Sequence, residues 1–342
     1  MLYSPQRRDP GFGNDPMAWT ANLIYGQGFI NGPTRLPAWY DETTAGSAEL
    51  DSTVVMNPNV KGGAPTLRLN TAGQPGVAGW ANRGIGAEGL VFEGGKDYEG
   101  YVMVFSPTSP TTLVIAIKDR TSNATLASTS IPVAASPAWQ KVSFSGLTPS
   151  ASTGCVGIPF GSDPTVDCGT PPKGGSNPGI VCVKCAGEAF FGISQGAAWL
   201  GFVTLQPGSW GRFQDLPVLK SGTDMITTAG FKSIRQGGSV SYSLRWKDWR
   251  GAPEQRAAMN HVWGPDLVAP WGPFELIDMA NALDVFPIVT LACNGDEGNT
   301  AEDWGDLVEY MYGDASTPWG SVRIHNDSHP DPYKCDTWEL GK

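Results

Sequence analysis

The stretch Ile234-Arg235-Gln236-Gly237-Gly238-Ser239 has residue types and spacing that could do chemistry. A strand ending in Arg and then Gly-Gly would set a guanidinium on the rim of a sheet, with a sharply bending backbone behind it. An Arg so placed orients a carboxylate or bonds a substrate hydroxyl through its planar fork. An ordinary strand-to-loop turn with a surface Arg accounts for the same residues, and both readings stand. Farther on, Tyr242-Ser243-Leu244-Arg245-Trp246-Lys247-Asp248-Trp249-Arg250 interleaves rings with cations, followed by Gly251 and Arg256. Such a loop suits stacking on sugar faces or closing over a pocket, and it equally suits packing onto its own domain. Trp263, Trp271, Trp304, Trp319 and Trp338 carry the same two readings.

Metal and nucleophile chemistry finds less support. His261, His325 and His329 form no ligand set, since the four-residue spacing of the last two helps only on a helix. Asp296-Glu297 and Glu302-Asp303 read as solvated charges of a loop and of a helix N-terminus. No nucleophile elbow, P-loop or dinucleotide fingerprint is present. Four of the six cysteines, Cys155, Cys168, Cys182 and Cys185, crowd into one Gly/Pro-rich loop. Disulfides stapling that loop are one reading. A zinc knuckle on Cys182-Val183-Lys184-Cys185 is the other.

The elements that must position these residues change character along the chain. Residues 1–50 are an irregular lead-in, with one strand expected around Ala21 to Ile24. Between Leu67 and Leu205, short apolar stretches alternate with Pro/Gly/Ser turns: Leu67-Arg68-Leu69, Tyr98 to Phe105, Leu113 to Ile117, Lys141 to Phe144 and Trp199 to Leu205. That spacing predicts an antiparallel β-sandwich over 51–207, with 155–185 as a Cys-rich insertion. From 208 to 342 helix and strand alternate, which predicts a parallel α/β sheet. The expected helices are Gln214 to Ala229, stopped by Gly230, then Trp271 to Leu283, and one capped by Thr300 with Asp303 at capping-box distance. The expected strands are Phe231 to Arg235, Val285 to Ala292 and Cys335 to Gly341. The last is a buried strand running to the end where an α/β barrel keeps its chemistry. So few strands would cut an eight-stranded barrel near its middle.

Composition narrows the partners. A net charge of −10 argues against nucleic acid, whose phosphates require a basic face. Only 16% of residues are charged, while Gly (44), Pro (28) and Trp (13) are abundant. Such a mix suits turn-rich β folds with an aromatic surface that meets sugars or another neutral polymer. No apolar run approaches the roughly 18 residues of a membrane span. Residues 1–10 show no secretory h-region.

The second half resembles the family 51 glycoside hydrolases, the α-L-arabinofuranosidases. The resemblance rests on motifs in order: Ile234 to Ser239; Trp246-Lys247 with Gly251 and Arg256; Gly272-Pro273-Phe274-Glu275; Ile288-Val289-Thr290; and the run from Ala301 through Trp319-Gly320 to Trp338-Glu339-Leu340-Gly341. More loosely, Asn82-Arg83-Gly84 and Tyr98-Glu99-Gly100 resemble the carbohydrate-binding-module-like jelly roll of that family. The resemblance implies an N-terminal β-sandwich followed by the first half of a (β/α)8 barrel. It implies removal of non-reducing terminal α-L-arabinofuranosyl groups from arabinose-containing polysaccharides or oligosaccharides, outside the cell. The implied mechanism is retaining, with two carboxyl groups roughly 5 Å apart, and needs neither cofactor nor metal. Arg235, Gly237, Gly238, Ser239 and Trp246 are the implied substrate-binding residues. Ser239 stands where many members have Asn or Cys, and the Pro usual before Gly-Gly is absent. The family's acid/base Glu follows a Glu-Leu/Ile-Gly strand end and would come after Gly341, with the nucleophile farther downstream. The expectation is therefore a hydrolase by descent that lacks both catalytic carboxyls in this stretch and is inactive as this truncated chain. The alternative is a non-catalytic carbohydrate-binding protein working through its β-sandwich.

Overall fold

A computed structural model describes residues 20–26, 28–29, 38–60, 63–84, 87–159, 181–236, 245–257, 271–291 and 300–340. These fall into two compact units. One comprises residues 22–56 and 63–210, the other residues 20–21, 57–60 and 211–340.

The first unit is built of antiparallel strands. In chain order they are β1 (Trp39–Asp41), β2 (Ser47–Asp51), β3 (Thr66–Asn70), β4 (Ala78–Asn82), β5 (Tyr98–Ser106), β6 (Thr111–Asp119) and β7 (Ala124–Val133). They continue with β8 (Ser136–Leu147), β9 (Cys155–Pro159), β10 (Val181–Cys185), β11 (Gly187–Ile193), β12 (Ala197–Val203) and β13 (Gln206–Pro207). One sheet runs β1-β4-β11-β6-β7; another runs β13-β5-β12-β3-β2, with β8 also paired to β5. Period-two alternation turns Leu67 and Leu69 of β3 and Val102 and Val104 of β5 inward. There they share one core with Leu113, Ile115 and Ile117 of β6 and Phe191 and Ile193 of β11. Each such side chain contributes about 1.5–3 kcal/mol by leaving water. β11 lies mid-sheet between β4 and β6 and is buried along its whole length.

The second unit alternates helix and strand: α1 (Lys220–Ala229), β14 (Ser233–Gln236), α2 (Pro273–Ala282), β15 (Phe286–Leu291), α3 (Ala301–Tyr312), α4 (Pro318–Ser321) and β16 (Trp338–Leu340). The three strands are parallel, in the order β14-β15-β16. Its core gathers Phe274, Ile277 and Met279 of α2, Val289 of β15, and Leu307, Tyr310 and Met311 of α3. Among the described residues no helix is long and apolar enough to cross a membrane.

Several expectations need correction. No strand forms around Ala21 to Ile24. The segment is held by separate bonds, among them Ala21 N–H donating to the Pro217 carbonyl, Leu23 N–H to the Leu205 carbonyl and Leu205 N–H to Asn22 Oδ1. Residues 1–50 do contain strands, β1 and β2, and both join sheets. The helix expected from Gln214 begins only at Lys220, because Pro217 disfavours helical backbone at Leu216 and cannot donate. Its end is as expected: Gly230 adopts φ 70° and its N–H closes onto the Ile226 and Thr227 carbonyls. Thr300 caps α3 as expected, its hydroxyl accepting from Asp303 N–H while Asp303 accepts from Thr300 N–H. The last strand is shorter than Cys335 to Gly341; Cys335 itself is buried ahead of it.

Cys155 and Cys185 face each other directly at one end of the β9–β10 hairpin and form a disulfide, with Cα atoms 4.0 Å apart. Closely spaced antiparallel pairs bring side chains nearest. The bond removes Cys185 from any zinc pair with Cys182, and no group of three or more metal-ligating side chains occurs among the described residues. Cys168 and Cys293 lie outside them. Closing a loop with 30 residues of sequence separation should contribute about 3–4 kcal/mol through the unfolded chain. Urea melts should accordingly show a lower midpoint for Cys155→Ser, with no further drop on adding reductant. Equal midpoints for the two proteins under oxidising conditions would refute the bond.

Candidate functional site at the end of the parallel sheet

The three parallel strands of the second unit bring Arg235, Thr290 and Glu339 together near their C-terminal ends. In the register of the sheet Arg235 lies opposite Ile288, and Thr290 opposite Glu339. Arg235 Nε donates to Glu339 Oε2 at 2.5 Å, and Thr290 Oγ1 donates to the same oxygen at 2.5 Å. Thr290 is fully buried, whereas Arg235 and Glu339 keep 46% and 40% of their side-chain surface. The Arg235 hydrogen bond, then that of Thr290, holds the Glu339 carboxyl at about 2. The same bond pushes the Arg235 guanidinium up. Glu339 is thus a carboxylate at any physiological pH and has no proton to give. Gln236, the next residue of β14, is buried, and its Oε1 finds no hydrogen-bond partner among the described residues.

Sequence reasoning singled out Arg235, and the structure places it on this rim. Gly237, Gly238 and Ser239 lie outside the described residues. Trp246, expected to face substrate, is a core residue: it is fully buried and its Nε1 donates to the Asp303 carbonyl at 2.7 Å. Its ring packs at 5.2 Å from Tyr310 and 5.0 Å from Trp319. Trp249 and Trp271 are buried too, so packing rather than sugar stacking accounts for these rings. The pairing of Glu339 with Arg235 and the part of Thr290 were missed. The available signal was a hydroxyl near the end of the otherwise apolar Phe286–Leu291 and one acidic residue in Trp338–Leu340.

The loop that follows β14 is fastened by cations. Lys247 Nζ binds Asp303 Oδ1 at 2.7 Å and Asp306 Oδ2 at 2.5 Å, lying 4.8 Å from the Trp319 ring centroid. Arg250 Nη1 donates to both Asp327 oxygens at 2.9 Å, and Tyr310 OH donates to Asp327 at 2.9 Å. Arg256, almost wholly buried, pairs with Glu275 and donates to the Gly251 carbonyl at 2.8 Å. Asp303, expected as a solvated charge, is buried. Burial alone would raise its carboxyl, but Lys247 and Thr300 outweigh it and hold the group at about 2. His329 stacks on Tyr333 at 3.9 Å, with Nε2 3.2 Å from Asp278 Oδ1, and among the described residues neither it nor His325 belongs to a group of three or more metal-ligating side chains.

Similarity to α-L-arabinofuranosidases is found in sequence and in fold. Residues 230–342 match the model of the α-L-arabinofuranosidase 1 domain. An extracellular exo-α-L-arabinofuranosidase of Streptomyces chartreusis is 29% identical over 122 residues, covering 32% of this chain and 15% of that protein. The arabinose-bound structure of the GH51 α-L-arabinofuranosidase MgGH51 superposes with a TM-score of 0.71 at 17% identity, covering 95% of this chain and 51% of that one. A family 51 enzyme of Bifidobacterium longum, AbfB, superposes with a TM-score of 0.34 at 17% identity, over 37% of this chain and 25% of that one. The chain thus spans about half the length of the first solved relative and a smaller share of the curated one. It is a GH51-like protein in fold, and in sequence over its last third.

The rim makes a prediction about pH. A depressed folded-state pKa means that the Arg235–Glu339 attraction is present above the ordinary value of 4.5 and is lost as pH falls through about 2. Carbon-detected NMR should find the Glu339 carboxyl titrating near 2, and climbing towards 4.5 in Arg235→Ala. A midpoint near 4.5 in the unaltered protein would contradict the pair.

Proposed function

We propose that this GH51-like chain is part of an extracellular glycoside hydrolase that removes terminal α-L-arabinofuranosyl groups from arabinose-containing glycans. The observation that carries the reading is the convergence of Arg235, Thr290 and Glu339 on one sheet end, inside the segment similar to an arabinofuranosidase domain. Ligands of α/β proteins are met at the C-terminal ends of parallel strands. On this reading β14, β15 and β16 are consecutive wall strands of a (β/α)8 barrel. The two sheets of the first unit are the jelly-roll sandwich that accompanies it, so the domains divide near 207–208, with β1 and β2 of the lead-in belonging to the sandwich.

Retaining cleavage calls for two carboxyl groups roughly 5–5.5 Å apart, one donating a proton and one attacking the anomeric carbon. Glu339 suits neither task, being deprotonated and neutralised by Arg235. We assign it to orientation: it fixes the guanidinium through Nε, and the other N–H donors of Arg235 serve substrate hydroxyls. Gly237, Gly238 and Ser239 would extend that surface as the backbone turns away. The proton donor and the nucleophile are residues other than those described, and no cofactor takes part.

The test is a titration of the purified chain with methyl α-L-arabinofuranoside, followed by NMR shifts. Saturable binding is expected, weakened at least tenfold in Arg235→Ala, since a lost charge-assisted bond amounts to about 1.5–3 kcal/mol. No saturable shift, or equal affinity in the variant, would refute the assignment.

A further inference from the structure

The first unit carries a second feature that its fold does not require. Antiparallel sheets with one solvated face normally read apolar inward and polar outward. On β5 the inward positions are Val102 and Val104, yet the outward ones are Tyr101, Met103 and Phe105, all half-buried. The outward aromatics continue across neighbouring strands. Trp199 of β12 lies opposite Phe105 in the register, with ring centroids 5.6 Å apart, and Trp139 of β8 lies 5.4 Å from Phe105 on its other side. Arg68 of β3 lies opposite Trp199 at 5.9 Å from its ring, and Glu49 of β2 lies opposite Arg68 at 3.3 Å. A row of three rings therefore crosses the sheet face and ends in a paired guanidinium and carboxylate.

We propose that the row Trp199–Phe105–Trp139 is a binding platform for an uncharged polysaccharide chain, separate from the rim of the parallel sheet. A sugar presents flat C–H faces and hydroxyl edges, which match aromatic faces bordered by groups that donate and accept hydrogen bonds. The border here is Arg68 and Glu49 at one end and Lys141, 3.8 Å from the Tyr101 ring, beside the row. The platform is preorganised. Trp199 Nε1 donates to Asp51 Oδ2 at 2.8 Å, which fixes the indole, so little side-chain freedom is lost on binding. Charge selects the occupant. Arg68 and Glu49 cancel within a chain whose net charge is −10, so the row offers no field to a polyanion and suits a neutral chain. Geometry disfavours a peptide strand, which adds to a sheet edge, whereas this row runs over a face whose main-chain groups are already paired. Rings on adjacent strands follow the ~4.8 Å strand spacing, comparable to one sugar unit.

The test is affinity electrophoresis of the full 342-residue chain through gels holding neutral arabinoxylan, neutral arabinan or anionic polygalacturonate. Retardation is expected in a neutral gel and not in the anionic one. Trp139→Ala and Trp199→Ala should each weaken it about tenfold, while Trp139→Phe, which keeps a ring, should retain most of it. Trp139 sits on the half-exposed outer face of β8, so Trp139→Ala with an unchanged thermal melt decides the matter if Trp199→Ala folds poorly. The platform is refuted by free migration in both neutral gels, or by equal retardation of a well-folded Trp139→Ala. Retardation by polygalacturonate alone also refutes it. So does a concentration-dependent dimer in sedimentation that Trp139→Ala abolishes, which would make a second copy the occupant. The rim is probed with a monosaccharide and Arg235→Ala, the row with polymers and the Trp variants, so either can fail without the other.

Discussion

The Arg235–Glu339 pair spans a whole strand. β14 and β16 flank β15, and neighbouring strands lie ~4.8 Å apart, so the two residues sit on backbones roughly 10 Å from each other. A long side chain is needed to cross that gap, and Thr290 of the middle strand joins the same carboxylate oxygen. An ion pair this exposed contributes little stability. What it contributes is definition. The strands are paired in register along their backbones, and slipping β16 by one residue would turn Glu339 to the opposite face. The charge at the rim is thereby placed, paired and kept ionised before any ligand arrives.

The loop after β14 follows a related logic with the charges drawn inward. Lys247, Arg250 and Arg256 each reach a largely buried carboxylate: Asp303 on α3, Asp327 beyond α4, and Glu275 on α2. Leaving any of those anions unpaired would be costly. Two of them also cap the start of a helix. Asp303 accepts from Thr300 N–H at the start of α3, and Glu275 accepts from Gly272 N–H at 2.7 Å at the start of α2. One carboxylate therefore ends a helix and anchors the loop, so helix start and loop position are set together. Gly251 makes one of these junctions feasible: its φ is 71°, and a Cβ there would stand 2.6 Å from the Asp327 carboxylate.

How much of this was legible depended on the period of the signal. Leu67-Arg68-Leu69 and Tyr98 to Phe105 were visible as short apolar stretches bounded by turns; period two shows only in the first, since the outward positions of the second are Tyr101, Met103 and Phe105. The capping box of α3 was visible because Thr300 and Asp303 act over three residues. The start of α1 was misplaced because Leu216 and Leu219 fit a helical stripe while Pro217 excluded it. The rim was half legible. Arg235 before Gly-Gly announces itself locally, but Glu339 lies 104 residues away, and only the parallel register joins them. Asp303 was misjudged for the same reason, its cation being Lys247 on another loop.

The tryptophans show most plainly what composition leaves out. Thirteen of them suggested an aromatic surface, yet in the second unit Trp246, Trp249 and Trp271 are buried. From Arg245 to Arg250 the cations interleaved with rings pair with Asp303 and Asp306 of α3 and with Asp327. Lys247, between Asp303 and Asp306, stands over Trp319 as a consequence of that anchoring. In the first unit Trp39 is likewise part of the core, but two others behave differently. Trp139 and Trp199 occupy outward positions on β8 and β12, and what sets them there is strand parity, since Ala198 and Leu200 beside Trp199 are inward. A ring on a loop is free to turn into whatever core is near, whereas a ring at an outward strand position cannot reach the core without moving its whole strand by one residue. Parity, not abundance, is therefore the property that separates a packing tryptophan from one presented to solvent, and it is readable wherever the strands themselves are.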